Sequence, residues 1–385
     1  METEEDWEWL PDLLLNSIIE KLMLPGDYVR FGAVCKHWRN VAVAHKYRVG
    51  PMLMTPTKNS RRSLYDVIRG NKIISGTKLL PMPLIKRRCC GSSYGWLAFA
   101  MDNLVIRLFN PFLGKQIDLP RLLNHLEDGC DPQYYVRKVV LSADPFKNPD
   151  DFEAVAIYGC EQKLAFIRIG QKNWTSLPVS VIIKSKFFAC DVIFYDGFMY
   201  AVNRENEFER GRIIKVDTEV GSLEIVAGWN WKAENKFDGE KLVQNRAYLV
   251  ESPRGDLLVI NRIMSYPSKE NCTIGRTSKF KLHKIVRGKE SWSMLVEVEQ
   301  VSELGDDALF LGDNQSVSIL ASEFMPGYQP NSIYFTDDFF YPHEPRDMGI
   351  FNLKDQSFKR RYKLNPLHKA SPPPIWITPP TPHHQ

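Results

Sequence analysis

The 385 residues contain no Cys-x-x-C pair, no His-Glu-x-x-His, no glycine-rich phosphate loop and no apolar run long enough to cross a bilayer. Each absence removes a class of function. Seven cysteines, at 35, 89, 90, 130, 160, 190 and 272, form an odd set without zinc-type spacing, which fits neither a disulfide framework nor a tetrahedral metal site. The eight histidines offer no ligand pair beside them, so no metal and no other cofactor is expected. The opening METEEDWEWLPDLLL is acidic where a secretory signal is basic, and the expected setting is reducing: nucleus, cytoplasm or both. The sequons at Asn173, Asn271 and Asn314 then read as accidents. Charge of one sign is also scarce, 50 Lys+Arg against 46 Asp+Glu for a net +4. The short runs Lys86-Arg87-Arg88 and Lys359-Arg360-Arg361 read as solvated loop charge, and neither nucleic acid nor a membrane is expected as a partner. Asp306-Asp307 and Asp337-Asp338 read as loop acids in turn-rich surroundings.

What is present divides into two parts, an α+β multidomain organisation with a boundary near residue 48. Across the first part the apolar spacing is helical. Pro11 and Asp12 suit a first helical turn, and Leu14, Ile18 and Leu22 then recur every four residues beside Leu15 and Ile19. Pro25-Gly26 is read as the end of that helix. Asp27 is read as the N-cap of a second helix carrying Phe31, Val34, Cys35 and Trp38 at i, i+3, i+4 and i+7. So small a unit has little interior, and two broad apolar stripes leave surface to be covered, by the rest of the chain or by another protein.

From residue 49 to 378 the pattern is all-β: short apolar or alternating runs broken by Asp196-Gly197, Arg254-Gly255-Asp256 and Met101-Asp102-Asn103. Strand ends recur at 110, 169, 217, 285 and 352, a ragged period near that of a long propeller blade. A β-propeller of about six blades, or five, is the expected architecture, with a large two-sheet sandwich second. The segment around Ile375-Trp376-Ile377 is expected to complete a blade with strands from just after residue 50. Beyond it, 379–385 is a Pro-rich tail, read as disordered.

Gly91, Ser93 and Gly95 spell G-x-S-x-G, the spacing of a serine nucleophile elbow. That elbow needs a helix after it. Here Trp96-Leu97-Ala98-Phe99-Ala100 and a turn follow, so the glycines are assigned to a turn where a blade begins, and no catalytic residue is expected.

Trp9-Leu10-Pro11-Asp12-Leu13-Leu14, Ile18-Ile19, Asp27-Tyr28-Val29-Arg30-Phe31 and Val34-Cys35-Lys36-His37-Trp38-Arg39 resemble an F-box. The remainder, with Cys90 to Leu97, Asn110-Pro111-Phe112 and Ser332 to Asp338, is similar to plant F-box proteins carrying a KIB-type β-propeller. The resemblance implies the substrate receptor of an SCF-type ubiquitin ligase: an F-box over 1–48 that docks on a Skp-type adaptor, and through it on cullin and RING subunits, and a propeller that holds a target protein. It implies that Leu10 and Pro11 touch the adaptor, with Leu14, Ile18, Val34, Cys35 and Trp38 shared between that interface and the helical core. Trp229 and Trp231 lie in one of five long connections, 121–135, 203–212, 229–241, 265–279 and 339–347, that could rim a target site. The rival readings are a propeller that acts by occupying its target, such as a kinase, without a ligase, and a hydrolase using Ser93.

Overall fold

Tight reversals set where the strands end. Tyr94-Gly95 and Asp196-Gly197 turn with both residues at positive φ, 53° and 81°, then 50° and 76°, the backbone of the two-residue hairpins that match strand twist. Asn110, Asp217 and Asn352 end equivalent strands by one device. Each side-chain Oδ1 accepts the backbone N–H groups two and three residues on: Phe112 and Leu113, Glu219 and Val220, Lys354 and Asp355.

The computed structural model describes residues 7–22, 25–44, 50–55, 62–68, 71–75, 79–123, 126, 130–203, 211–229, 243–265, 276–286, 297–324, 327–337, 347–361 and 373–379. After the helices the strands form six sheets. Blade one contains β1 (Met52–Met54), β2 (Ser63–Asp66) and β3 (Asn71–Ser75). Blade two runs β4 (Gly91–Ser93), β5 (Trp96–Ala100), β6 (Val105–Asn110) and β7 (Lys115–Arg121). Blade three runs β8 (Val136–Leu141), β9 (Glu153–Tyr158), β10 (Lys163–Arg168) and β11 (Thr175–Leu177). Blade four runs β12 (Ala189–Tyr195), β13 (Phe198–Asn203), β14 (Gly211–Asp217) and β15 (Ser222–Trp229). Blade five runs β16 (Val243–Glu251), β17 (Leu257–Ser265), β18 (Arg276–Val286) and β19 (Glu297–Val301). Blade six holds β20 (Asp307–Leu311), β21 (Val317–Leu320), β22 (Ser332–Phe335), β23 (Gly349–Asn352) and β24 (Ser357–Arg361). The last strand, β25 (Ile375–Ile377), pairs antiparallel with β1, Leu53 opposite Trp376, and completes blade one from inside. The expected six-bladed propeller and its closure are both present.

Each of the six seams between neighbouring blades has its own apolar cluster. In β9, Ala154, Ala156 and Tyr158 face blade two while Val155 and Ile157 face blade four. Alternation at period two therefore buries both faces of one strand. At the closing seam Trp376 meets Phe310 edge-on at 5.1 Å, and Phe310 stacks on Tyr334 at 4.8 Å. Between blades five and six, buried Arg262 bonds Tyr248, Thr277, the Thr336 carbonyl and Asp347.

The sixth blade departs from a simple meander. Its order is β21-β20-β22-β23-β24, with β20 and β22 parallel, so an added strand separates the innermost strand from the rest. Pro379 is buried, and residues 380–385 of the Pro-rich tail lie outside the described residues.

The N-terminal helices are α1 (Asp12–Ile19), α2 (Pro25–Gly32) and α3 (Lys36–Ala44), preceded by a 3-10 turn at Trp7–Trp9. The second helix expected from Asp27 through Trp38 is in fact two. Cys35 stands outside both and caps α3: its Sγ accepts the Trp38 N–H at 3.5 Å and its carbonyl accepts the Arg39 N–H at 3.0 Å. Likewise α1 stops at Ile19, and Pro25 opens α2 instead of closing α1, since a proline at a helix start gives up only a donor that has no partner there.

Candidate functional site

The three helices enclose Leu15, Ile19, Phe31, Val41 and Ala42, with Leu10, Ile18, Leu22 and Trp38 half-buried around them. No propeller residue joins that cluster among the described residues. Leu15 and Ile19, four apart on α1, take the inward face. Pro11, Leu14 and Ile18 run along the adjacent flank at i, i+3 and i+7, and there Pro11 is exposed and Leu14 is 49% exposed. Val34, in the corner between α2 and α3, is 50% exposed, and Trp7, Trp9 and Leu13 are more so.

The backbone of this surface is fixed from below by α3. The Trp38 indole N–H donates to the Trp7 carbonyl at 3.0 Å, and the ring packs on Phe31 at 4.6 Å. His37 Nε2 lies 3.1 Å from the Leu10 carbonyl and 3.2 Å from the Asp12 carboxylate, so a proton on Nε2 ties α3 to the start of α1. Trp38 and Cys35 thus position the segment, whereas Pro11, Leu14 and Val34 present side chains. The Trp229 side chain and all of Trp231 lie outside the described residues.

The serine motif is a hairpin. Gly91 and Ser93 belong to β4, Tyr94-Gly95 is the turn and β5 follows. Ser93 is buried, and its Oγ accepts the Leu141 N–H at 3.3 Å. Gly91 is there because a Cβ would stand 2.1 Å from the Val139 carbonyl oxygen on the adjoining inner strand. Gly91→Ala should therefore force β4 and β8 apart and cost about 1–3 kcal/mol, read as a lower urea midpoint.

A second constellation sits at one mouth of the ring, where the inner strands of blades two to six begin. The connection 312–316, between β20 and β21, turns into the axis: Asp313 pairs with Arg88 at 2.7 Å and lies 3.8 Å from Arg246, and Gln315 N–H donates to the Ser92 carbonyl at 3.0 Å. Asp191, fully buried, pairs with Lys138 at 2.5 Å and accepts the Leu249 N–H and the Ser316 hydroxyl. Those bonds join blades three, four, five and six. Arg137, next to Lys138, lies beside Arg246 and Arg88, and burial together with their like charges lowers its pKa to about 10.

Sequence reasoning missed this cluster and misread part of it. Of the run Lys86-Arg87-Arg88 only Lys86 is exposed: Arg88 is buried and bonds the Val136 and Arg137 carbonyls as well as Asp313, while half-buried Arg87 bonds Asp102 and the Ala100 carbonyl. Nor is Asp307 a loop acid. It opens β20, it is buried, and burial raises its carboxyl above the usual range. One-letter patterns do not report that a charge lies on an inner strand, so only the propeller assignment together with strand position could have found these residues.

Residues 64–352 match the family described as KIB1-4 beta-propeller. The Arabidopsis thaliana F-box protein SKIP23 is 27% identical over 97% of this chain and 96% of its own length. F-box protein At2g17036 of the same plant is 26% identical over 97% and 95%. Among solved structures, the Cps50 (Swd1) β-propeller domain of Myceliophteria thermophila overlays with a TM-score of 0.38 at 11% identity, covering 82% of this chain and 87% of that one. A closed six-bladed ring behind a short helical unit, matched along nearly its whole length by F-box proteins, places this chain in the KIB1-4 beta-propeller family, as a plant-type F-box protein with a KIB-type propeller.

Proposed function

We propose that this chain is the substrate-receiving subunit of an SCF-type ubiquitin ligase, at work in nucleus or cytoplasm, with the helices of residues 1–48 bound to a Skp-type adaptor and the propeller bound to a target protein. The reading rests most on one observation. The helical unit has a finished core of its own and still leaves Pro11, Leu14 and Val34 uncovered, as an interface requires and an inert cap does not. The chain supplies proximity, raising the effective concentration of the target near the charged conjugating enzyme, while the transfer chemistry belongs to other subunits.

The test is reconstitution. Purified full-length chain mixed with a Skp-type adaptor should co-elute in gel filtration as one species, and a chain lacking residues 1–46 should elute apart from it. Target turnover that survives loss of adaptor binding, in a Leu10→Ala/Pro11→Ala variant, overturns the ligase reading in favour of simple occupancy.

A further inference from the structure

The two ends of the ring differ in kind. The chain enters blade one at the end where the inner strands finish: Tyr328, in the segment after β21, donates to the Pro51 carbonyl at 3.1 Å, and Met52 pairs with Ile377, the last residue of β25. Several reversals at this end are short: Tyr94-Gly95, Asp196-Gly197 and 252–256. The opposite mouth holds the Arg88–Asp313–Arg246 cluster. Five described strands, β7, β13, β15, β17 and β22, end at this same mouth.

At that mouth the basic groups Arg88, Arg137, Lys138 and Arg246 outnumber the carboxylates Asp191 and Asp313. Asp313 lies deep, 2% exposed, and holds Arg88 against it. Arg246 keeps 19% of its side chain exposed, 3.8 Å from the same carboxylate, and Arg137 is half-buried beside it. Guanidiniums collected from β8, β16 and the segment before β4 thus converge on the axis from blades two, three and five. Three guanidiniums gather here with the Asp313 carboxylate, and a surplus of positive charge at a mouth attracts and orients an anionic partner. Burial first, and then the like charges of Arg246 and Arg88, lower the pKa of Arg137. A planar guanidinium bonds a carboxylate through two parallel N–H groups, so the match is to acidic side chains.

We propose that this mouth, remote from the point where the helices join, is the target-binding face, and that Arg137 and Arg246 there receive an acidic segment of the target protein. The inference relies on the receptor reading above only for the identity of what brings the segment. The direct probe is a fluorescein-labelled octaglutamate peptide titrated with the full-length chain and followed by anisotropy. Wild-type protein should bind it, more weakly as salt rises. Arg137→Gln/Arg246→Gln should bind at least about tenfold more weakly. Arg137→Lys/Arg246→Lys, which keeps the charge but loses the paired N–H groups, should bind more weakly than wild type and more tightly than the Gln double variant, and Lys284→Gln, beside Asp256 near the opposite end, should match wild type. Absence of wild-type binding, equal binding by the Gln double variant, or an equal loss in Lys284→Gln overturns the proposal. Adaptor co-elution on the same preparations succeeds or fails independently, so a failed receptor reading is told apart from a failed binding face.

Discussion

A chain ending at Pro374 is expected to lose its cooperative unfolding transition and to self-associate. The truncation removes Ile375, Trp376 and Ile377, each at most 1% exposed. Burial of a large apolar side chain contributes about 1.5–3 kcal/mol, so three of them match a large part of the roughly 5–15 kcal/mol that holds a typical protein folded. The loss also strips β1 of its inner partner and leaves an unpaired strand edge where another chain can add. Thermal unfolding and gel filtration read both effects. Trp376→Ala is the milder companion, with an expected cost of about 3–5 kcal/mol through the contacts with Phe310 and Tyr334. A monomeric truncated chain with an unchanged melting temperature contradicts closure by β25.

The second large effect is expected on binding. Leu14→Asp combined with Val34→Asp should abolish adaptor co-elution while the melting temperature hardly moves. Both side chains are about half exposed, so substitution should change stability by only about 0.5 kcal/mol each. A charge buried at an apolar interface should cost about 2 kcal/mol or more at each site. Leu15→Asp is the contrast: Leu15 is fully buried, and the variant should unfold the helical unit itself. Calorimetric titration of the adaptor against the three proteins separates the cases. Undiminished affinity in Leu14→Asp/Val34→Asp removes this flank of α1 from the interface.

The ring was legible in the sequence because its punctuation is chemical. Asn110, Asp217 and Asn352 each end the third strand of a meander or its counterpart in blade six, and each does so with the same side-chain turn. Across the seam between blades two and three the Trp174 indole N–H donates to the Pro120 carbonyl. The corner at Val34-Cys35 was hidden, since 3.6-residue spacing runs through it unbroken and only a thiol accepting the Trp38 N–H shows that the helix stops. The axial charges were hidden for another reason. Arg88 and Asp313 are 225 positions apart, and their pairing depends on an added strand, β20, that turns 312–316 inward. Nothing local encodes such a meeting.

The pairing of Leu53 with Trp376 also sets an order of events during synthesis. The two residues are more than three hundred positions apart, and at about 5–20 residues per second the outer strands of blade one wait tens of seconds on the ribosome for the strand that locks them. The helices with Leu14 and Val34 are outside long before then. Any partner of these helices can therefore meet Leu14 and Val34 while the remainder of the chain is still being made, and such an encounter need not wait for the ring to shut.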